Sequence, residues 1–404
     1  MNVSDIHFLD ELDLEDRRVF VRVDFNAPLE DGGVADDTRI EKAIPTIRQI
    51  RDRAESVILA SHLGRPGGKP TDDLRMEPVG ARLARLLDVD VAIPEDHEPE
   101  NVETVVDQID DEQLVLLENL RFDPGERDGD EAFARKLAEP ADVYVNDAFG
   151  TAHRAHASTY TMAQFFAPDD RGAGELMRTE LTHFSELLND PNRPFTAILG
   201  GAKVADKIGV VDALVDRADN ILLGGAMAYT FLSADDVAVG DSIVDEEHLE
   251  LAGEVLQKAR DRDVDLILPL DHVVAPSADA PDEEIRTTTD VAIKAGQRGL
   301  DIGPNTAEMY SEIIRSSRTV FWNGPMGVFE QDRFADGTMQ VARTLALAPP
   351  RSVVGGGDSA SAVQKAGVAD EIDHISTGGG AALKLIERKP LPGLKALDPR
   401  HDFD

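Results

Sequence analysis

The sequence predicts an α/β protein of two parallel-sheet domains, and three observations predict it: nine short apolar runs, helical patterns between them, and a length beyond one core. At 404 residues the chain exceeds the ~250–300 residues at which a single hydrophobic core stops growing, so two domains are expected. The runs are Val19–Val23, Val57–Ala60, Leu114–Leu117, Val143–Val145, Phe195–Leu199, Ile221–Leu223, Leu266–Leu268, Val320–Trp322 and Val353–Val354. Each is mostly Val, Ile and Leu without polar alternation, the pattern of a strand covered on both faces. Met76–Leu87 and Val210–Ala218 read as helices between runs, and strand–helix alternation implies parallel sheets. Near mid-chain, Met177, Leu181, Phe184 and Leu188 form a helical stripe that Asp190-Pro191-Asn192 ends. We read this helix as the connector between the domains, with an ordinary crossover helix as the alternative. The sequence shows neither a solenoid period nor a low-complexity tract.

Composition narrows the partners. Against 78 Asp and Glu stand 41 Lys and Arg, giving a net charge of −37, and the acids are spread along the whole chain. Nucleic acid and anionic membrane are therefore not expected partners. A hydrophobic content of 42% argues against disorder, so the acid reads as a solvated surface. Only 11 of the 41 basic residues are Lys, which with so acidic a surface suggests a halophilic protein. Cysteine is absent, which excludes disulfides and thiolate chemistry. Met1–Asp16 is acidic, with no basic start, apolar core or cleavage site, and no apolar run approaches the ~18–20 residues that span a bilayer. A cytoplasmic protein is expected.

In open parallel sheets ligands bind beyond the carboxyl ends of strands, so the residues after each run carry the functional reading. After the first-half runs come Arg22-Val23-Asp24-Phe25-Asn26, Ser61-His62-Leu63-Gly64-Arg65-Pro66, Glu118-Asn119-Leu120-Arg121-Phe122, and Asn146 through His156. An acidic chain has placed His62, Arg65, Arg121, His153, Arg154 and His156 there, with Arg39 close by. One such Arg would ordinarily be a surface ion pair; a converging set suits a small polyanion such as a phosphorylated acid. For the three His residues a structural hydrogen bond is as good a reading as a ligand contact.

The second-half runs end instead in glycine: Gly200-Gly201, Gly224-Gly225, Gly303, Gly324, Gly355-Gly356-Gly357 and Gly378-Gly379-Gly380. Glycine lets backbone N–H groups approach phosphate, which suggests a nucleotide. Lys203 and Lys207 stand i, i+4 where a helix should begin, so both ammonium groups are expected at one site. Asp358 is suitably placed to hold Mg²⁺, turn stabilisation being the equally common alternative. The P-loop look-alike at Gly64–Lys69 fails, being one residue short with Pro70 where Ser or Thr is required. Gly355-x-Gly357-x-x-Ala360 has the context of a dinucleotide fingerprint, but a dehydrogenase leaves the basic cluster without a role.

Eight ordered blocks resemble the phosphoglycerate kinase family: Arg22–Pro28, Ser61–Pro66, Glu118–Phe122, Asn146–His156, Gly200–Ile208, Trp322–Glu330, Gly355–Ala360 and His374–Gly380. The resemblance implies two Rossmann-like three-layer domains facing a cleft: 1–172 binding phosphoglycerate, an interdomain helix at 173–190, 191–380 binding nucleotide, and 381–404 returning to the first domain. It implies phosphoglycerate binding by Asp24, Phe25, Asn26, Arg39, His62, Leu63, Gly64, Arg65, Arg121, His153, Arg154 and His156. For ADP or ATP it implies Gly201, Ala202, Lys203, Lys207, Gly224, Gly225, Asn323, Pro325, Val328, Glu330, Gly356, Gly357, Asp358 and Ser359, with Asp358 as the metal anchor. Three positions depart from the family pattern: Ala226 and Ala157 replace a usual Gly and Ser, and Asn305 replaces a frequent Lys.

The reaction so implied is reversible phosphoryl transfer between 1,3-bisphosphoglycerate and MgADP, giving 3-phosphoglycerate and MgATP, by a monomer. Neither direction needs a general base, so catalysis is expected from positioning and charge. Arg39, Lys203, Mg²⁺ and the N–H groups of Gly378, Gly379 and Gly380 are expected to stabilise the phosphoryl in flight. A nicotinamide-dependent dehydrogenase and a non-catalytic two-domain binding protein remain as alternatives.

Overall fold

The computed structural model describes residues 6–109, 114–348 and 351–403. The chain divides into two compact units, one of Met1–Thr182 with Pro390–Asp404 and one of His183–Lys389. In the first, six parallel strands lie in the order Val91–Ala92, Leu114–Leu116, Ser56–Ala60, Arg18–Arg22, Val143–Asn146, Arg171–Ala173. Both faces are covered, which is why these segments read as unbroken apolar runs. Val19, Val21, Val57, Leu59, Val143 and Val145 pack with Ile40, Ile47 and Ile50 of the helix Thr38–Arg51 and with Val79 and Leu83 of the helix Glu77–Leu87. The intervening residues face the other way, where Tyr144 stacks on Phe166 with ring centroids 5.7 Å apart.

The second unit repeats this architecture in the order Asp265–Ile267, Asn220–Leu223, Phe195–Leu199, Thr319–Asn323, Arg351–Gly355, His374–Ser376, again all parallel. Ile198, Leu222, Val320, Trp322 and Val354 share a core with Tyr310 and Ile314 of the helix Pro304–Ser316 and with Met339, Ala342 and Leu345 of the helix Asp336–Leu347. A small antiparallel sheet joins His272–Ala275 to Arg286–Thr287 and Arg298–Ile302. Among the described residues no helix is long and apolar enough to cross a membrane.

The mid-chain stripe is the helix Glu175–Asn189, and the division between the units falls inside it. Its start belongs to the first unit, where Thr46 Oγ1 accepts from Glu175 N at 2.8 Å and the Asp147 carboxylate accepts from Met177 N at 3.0 Å. The first unit therefore runs ten residues past the expected end at 172. The returning tail begins at Pro390 rather than 381, because the helix Gly380–Ile386 packs on Ile208–Val215 of the second unit. Beyond it, Leu394 and Leu397 are buried in the first unit, Gly393 N donates to Ala152 O at 2.8 Å, and Arg171 Nη2 donates to Asp398 O at 3.2 Å.

Candidate active site

In the first sheet the strand order reverses at Arg18–Arg22, which has Ser56–Ala60 on one side and Val143–Asn146 on the other. A crevice opens where chain connections leave such a strand in opposite directions. The loops beyond it are stitched together by short side chains. Ser61 Oγ accepts from Phe25 N at 2.8 Å, and Asn26 Oδ1 accepts from Gly64 N at 2.8 Å. Asn119 accepts from both Leu63 N and Arg121 N at 3.1 Å and donates to Leu63 O at 2.7 Å. Gly64 adopts φ +60°, and its carbonyl accepts from Arg121 Nη1 at 2.7 Å. Three strand ends thus form one framework.

Charge is concentrated on that framework. Arg39, in the first turn of its helix, donates to Asp24 Oδ2 at 2.6 Å, while the buried Asp24 Oδ1 has no hydrogen-bond partner among the described residues. Burial opposes the Asp24 charge, but Arg39 and its neighbours outweigh it and hold the carboxyl below its ordinary range. His62 is buried, and that burial, with Arg22, Arg121 and Arg39 nearby, pushes it well below the ordinary imidazole value against the pull of Asp24. Burial, then Arg22, Arg121 and Arg154, push His156 down to about 3. Burial beside Arg22 and Arg154 brings Arg121 to about 10, so it stays charged at neutral pH. Two of the histidines grouped with the basic residues are therefore neutral, hemmed in by arginines. Arg154 Nε donates to His153 Nε2 at 3.2 Å, and Arg65 and Arg154 are exposed.

The second sheet reverses at Phe195–Leu199, between Asn220–Leu223 and Thr319–Asn323. Here backbone meets backbone: Gly200 N donates to Asn323 O at 3.0 Å, Gly201 N to Pro325 O at 2.8 Å, and Gly225 N to Met326 O at 2.9 Å. A Cβ on Gly200 or Gly324 would drive into the facing loop's carbonyl oxygen, so glycine is needed there for close approach as well as for any ligand. Asn323 Nδ2 donates to Gly355 O at 2.8 Å, and Ser359 Oγ accepts from Gly324 N at 2.6 Å. Gly356, with φ +90°, precedes the helix Gly357–Lys365, whose first turn carries the exposed Asp358. Gly379 likewise precedes the helix Gly380–Ile386 with φ +43°.

The lysine pair is arranged differently from the helical expectation. The helix begins only at Ile208, so Lys203 lies in an exposed irregular loop. Lys207 turns back, its Nζ donating to Gly200 O at 2.6 Å and Asn323 O at 3.2 Å. The Asn323 carbonyl already accepts from Gly200 N, and the ammonium gives it a second donor while bonding the Gly200 carbonyl where the two glycine loops cross. Burial lowers Lys207 to about 8 against the opposing pull of Asp358. Of the remaining predicted residues, Gly224 adjoins the crossing through its N–H to Leu199 O, Val328 N donates to Leu300 O at 2.8 Å, and Ala202 and Glu330 are exposed.

Residues 9–389 match the family model described as phosphoglycerate kinase. The chain belongs to the phosphoglycerate kinase family. A phosphoglycerate kinase of Anaeromyxobacter sp. (strain K) is 52% identical over 393 residues, covering 96% of this chain and 98% of that protein. One from Pelotomaculum thermopropionicum is 50% identical over 387 residues, with the same coverage. The phosphoglycerate kinase structure from Coxiella burnetii aligns with a TM-score of 0.86 at 35% identity, covering 98% of this chain and 100% of that one. That from Pyrococcus horikoshii OT3 gives 0.84 at 32%, covering 98% and 99%. Membership makes the chain a glycolytic phosphotransferase, and the dehydrogenase and non-catalytic readings fall away.

Several residues that build the site of this phosphoglycerate kinase family member were passed over in the sequence reading. Ser61 and Asn119 follow the apolar runs Val57–Ala60 and Leu114–Leu117, and a short polar side chain just past a run was the available signal. Glu126 and Ser158 gave none. Both are fully buried, yet Gly125–Asp128 reads as a polar surface turn.

Proposed function

We propose that the chain catalyses reversible transfer of the acyl phosphate of 1,3-bisphosphoglycerate to MgADP, forming 3-phosphoglycerate and MgATP. The observation that carries the reading is the contrast between the two sheet reversals: arginines around a buried carboxylate on the first unit, glycine-lined backbone on the second. Arg39, Arg65, Arg121 and Arg154 supply charge for the glycerate phosphate and carboxylate. Neutral His62 and His156 supply hydrogen bonds, and the spare Asp24 oxygen accepts from a substrate hydroxyl. Phe25, Asn26, Leu63, Gly64 and His153 shape the remainder.

Nucleotide phosphates are assigned to Gly201, Ala202, Lys203, Lys207, Asn323 and the Gly356, Gly357, Asp358, Ser359 turn; Gly224, Gly225, Pro325, Val328 and Glu330 border the rest of the nucleotide. Among the described residues no three His, Asp or Glu side chains gather into a metal cage. A single exposed carboxylate at Asp358 fits Mg²⁺, which commonly takes one or two protein carboxylates and completes its shell with phosphate oxygens and water. The bound ion would neutralise charge on the nucleotide.

The attacking atom is a phosphate oxygen in one direction and a carboxylate oxygen in the other, so no proton has to be removed. What this chain contributes is alignment and positive charge on the transferring group, from Arg39, Lys203 and the backbone N–H groups of Gly378, Gly379 and Gly380. A monomeric, cytoplasmic and halophilic enzyme is the setting we infer, the last on the acidic composition. Purified protein given Mg²⁺, ATP and 3-phosphoglycerate should form an acyl phosphate that a coupled dehydrogenase reduces. Folded protein inactive from dilute buffer to molar KCl would refute the reading.

A further inference from the structure

Beneath the arginine cluster lies a second layer of polar groups that touches no solvent. Arg22 and Glu126 are both fully buried, with Arg22 Nη2 4.0 Å from Glu126 Oε1. Between them stands Ser158, whose hydroxyl accepts from Arg22 Nε at 2.8 Å and donates to Glu126 Oε1 at 2.7 Å. The other carboxylate oxygen accepts from Ser158 N at 3.0 Å, and Ser158 O is held by the Tyr144 hydroxyl at 2.9 Å. Arg22 Nη1 reaches its neighbour Val23 O. Its Nη2 then lies 3.2 Å from His62 Nδ1.

A guanidinium can only donate. His62 Nδ1 must therefore carry a lone pair, which leaves the ring neutral with its proton on Nε2. Asp24 Oδ1 would favour the opposite tautomer, but it stands 3.9 Å from Nδ1, beyond hydrogen-bond reach. The other charged groups acting on the ring, Arg121 and Arg39, are cations and oppose a second proton. On the far side of Glu126, His156 Nδ1 lies 3.7 Å from Oε1, so the carboxylate borders His156 directly and reaches His62 through Arg22.

We propose that Glu126 is a positioning residue: acting through Ser158 and Arg22, it fixes His62 as the neutral Nε2–H tautomer, so that the ring donates to an anionic oxygen of phosphoglycerate. The inference rests on the assignment of the first-unit cluster to phosphoglycerate. The buried carboxylate is what makes a buried Arg22 tolerable, since an uncompensated interior charge is strongly destabilising. Arg22 in turn selects which imidazole nitrogen carries the proton.

Nitrogen-15 imidazole spectra of the whole chain, assigned by His62→Ala, test the tautomer directly and require no altered Glu126. A protonated Nδ1, or a cationic ring at pH 7, overturns the proposal. Glu126→Gln should lower the melting temperature. The double variant Arg22→Met, Glu126→Gln removes both charges and should recover most of that loss, while its KM for 3-phosphoglycerate stays raised by roughly tenfold with a smaller change in kcat and an unchanged KM for ATP. A merely structural role predicts that KM recovers with the melting temperature, and that result would overturn the proposal. His62→Ala separates the two levels: if it leaves the 3-phosphoglycerate KM unaltered, the substrate assignment fails. If it raises KM and the double variant does not, only the positioning role of Glu126 fails.

Discussion

Arg39 and Asp24 are joined at 2.6 Å through one carboxylate oxygen while the other is buried with no hydrogen-bond partner among the described residues. The ion pair therefore occupies the arginine assigned above to the transferring phosphoryl and leaves an acceptor beside it. Arg39→Ala should lower kcat by about 10² or more with a smaller effect on KM, because its charge matters most when the phosphoryl is in flight. Lys203→Ala should behave alike, and Lys69→Ala should do little. Initial-rate kinetics on the three variants check this; equal damage from Lys69→Ala and Lys203→Ala would mean that the nucleotide site has been misplaced.

Asp24→Asn should act on binding. The amide keeps its size but weakens both the hold on Arg39 and the spare acceptor, so KM for 3-phosphoglycerate should rise by roughly tenfold with KM for ATP unchanged. An unaltered KM would show that the spare oxygen does not meet substrate.

Lys207 gives a pH dependence with a defined sign. Held at about 8 by burial, it loses its positive charge as pH passes that value, so nucleotide affinity should fall between roughly pH 7 and 9. Isothermal titration with MgADP across that range reads it directly. In Lys207→Met the step should vanish and binding should be weak throughout; a step that survives the substitution belongs to another group.

Asp147 makes the opposite kind of contribution, to stability. Burial raises its carboxyl to about 7, and its Oδ2 has no hydrogen-bond partner among the described residues. With the folded value above the unfolded one, the native chain binds the extra proton between roughly pH 4 and 7, and stability falls as pH rises through that window. Asp147→Asn should therefore raise the melting temperature at pH 8, by on the order of 2–4 kcal/mol of stability, and make little difference at pH 5. Thermal melts at both values test the sign.

Salt should pull stability and affinity apart. At about 1 M the Debye length falls to ~3 Å, so the self-repulsion of a −37 net charge is screened and the melting temperature should climb from dilute buffer into molar KCl. The same screening weakens capture of polyanions by Arg39, Arg65, Arg121 and Arg154, so KM for 3-phosphoglycerate should climb too. A melting temperature that stays flat would end the halophilic reading and leave the kinase reading untouched.

All nine apolar runs are strands, because a strand covered on both faces has no room for polar residues and announces itself in composition. The strands without such a run include Val91–Ala92, Arg171–Ala173 and His374–Ser376, edge strands of two or three residues too short to show a pattern, and the small antiparallel sheet of His272–Ala275, Arg286–Thr287 and Arg298–Ile302, where polar and charged residues interrupt the apolar ones. At the site, arginine and glycine identities were legible while their electrical state was not. His62 looks basic beside Arg65, but burial, with Arg22 40 residues away in sequence among its neighbours, disfavours its charge. Lys207 was expected beside Lys203 on a helix that starts only after both. Its partners are carbonyls exposed by a crossing of distant loops, which no local spacing records.

The tail that docks through Leu394, Leu397 and the Asp398 carbonyl makes the two units unequal as pieces of chain. The second unit is one uninterrupted stretch and carries its whole core within itself. The first unit is split, and part of its interior comes from residues that follow the entire second unit in sequence. Closing the first unit therefore needs a loop of about two hundred residues to return on itself, a contact of high sequence separation, and Arg171, which holds Ala163 O from its own segment and the Asp398 and His401 carbonyls from the tail, is where the two pieces join.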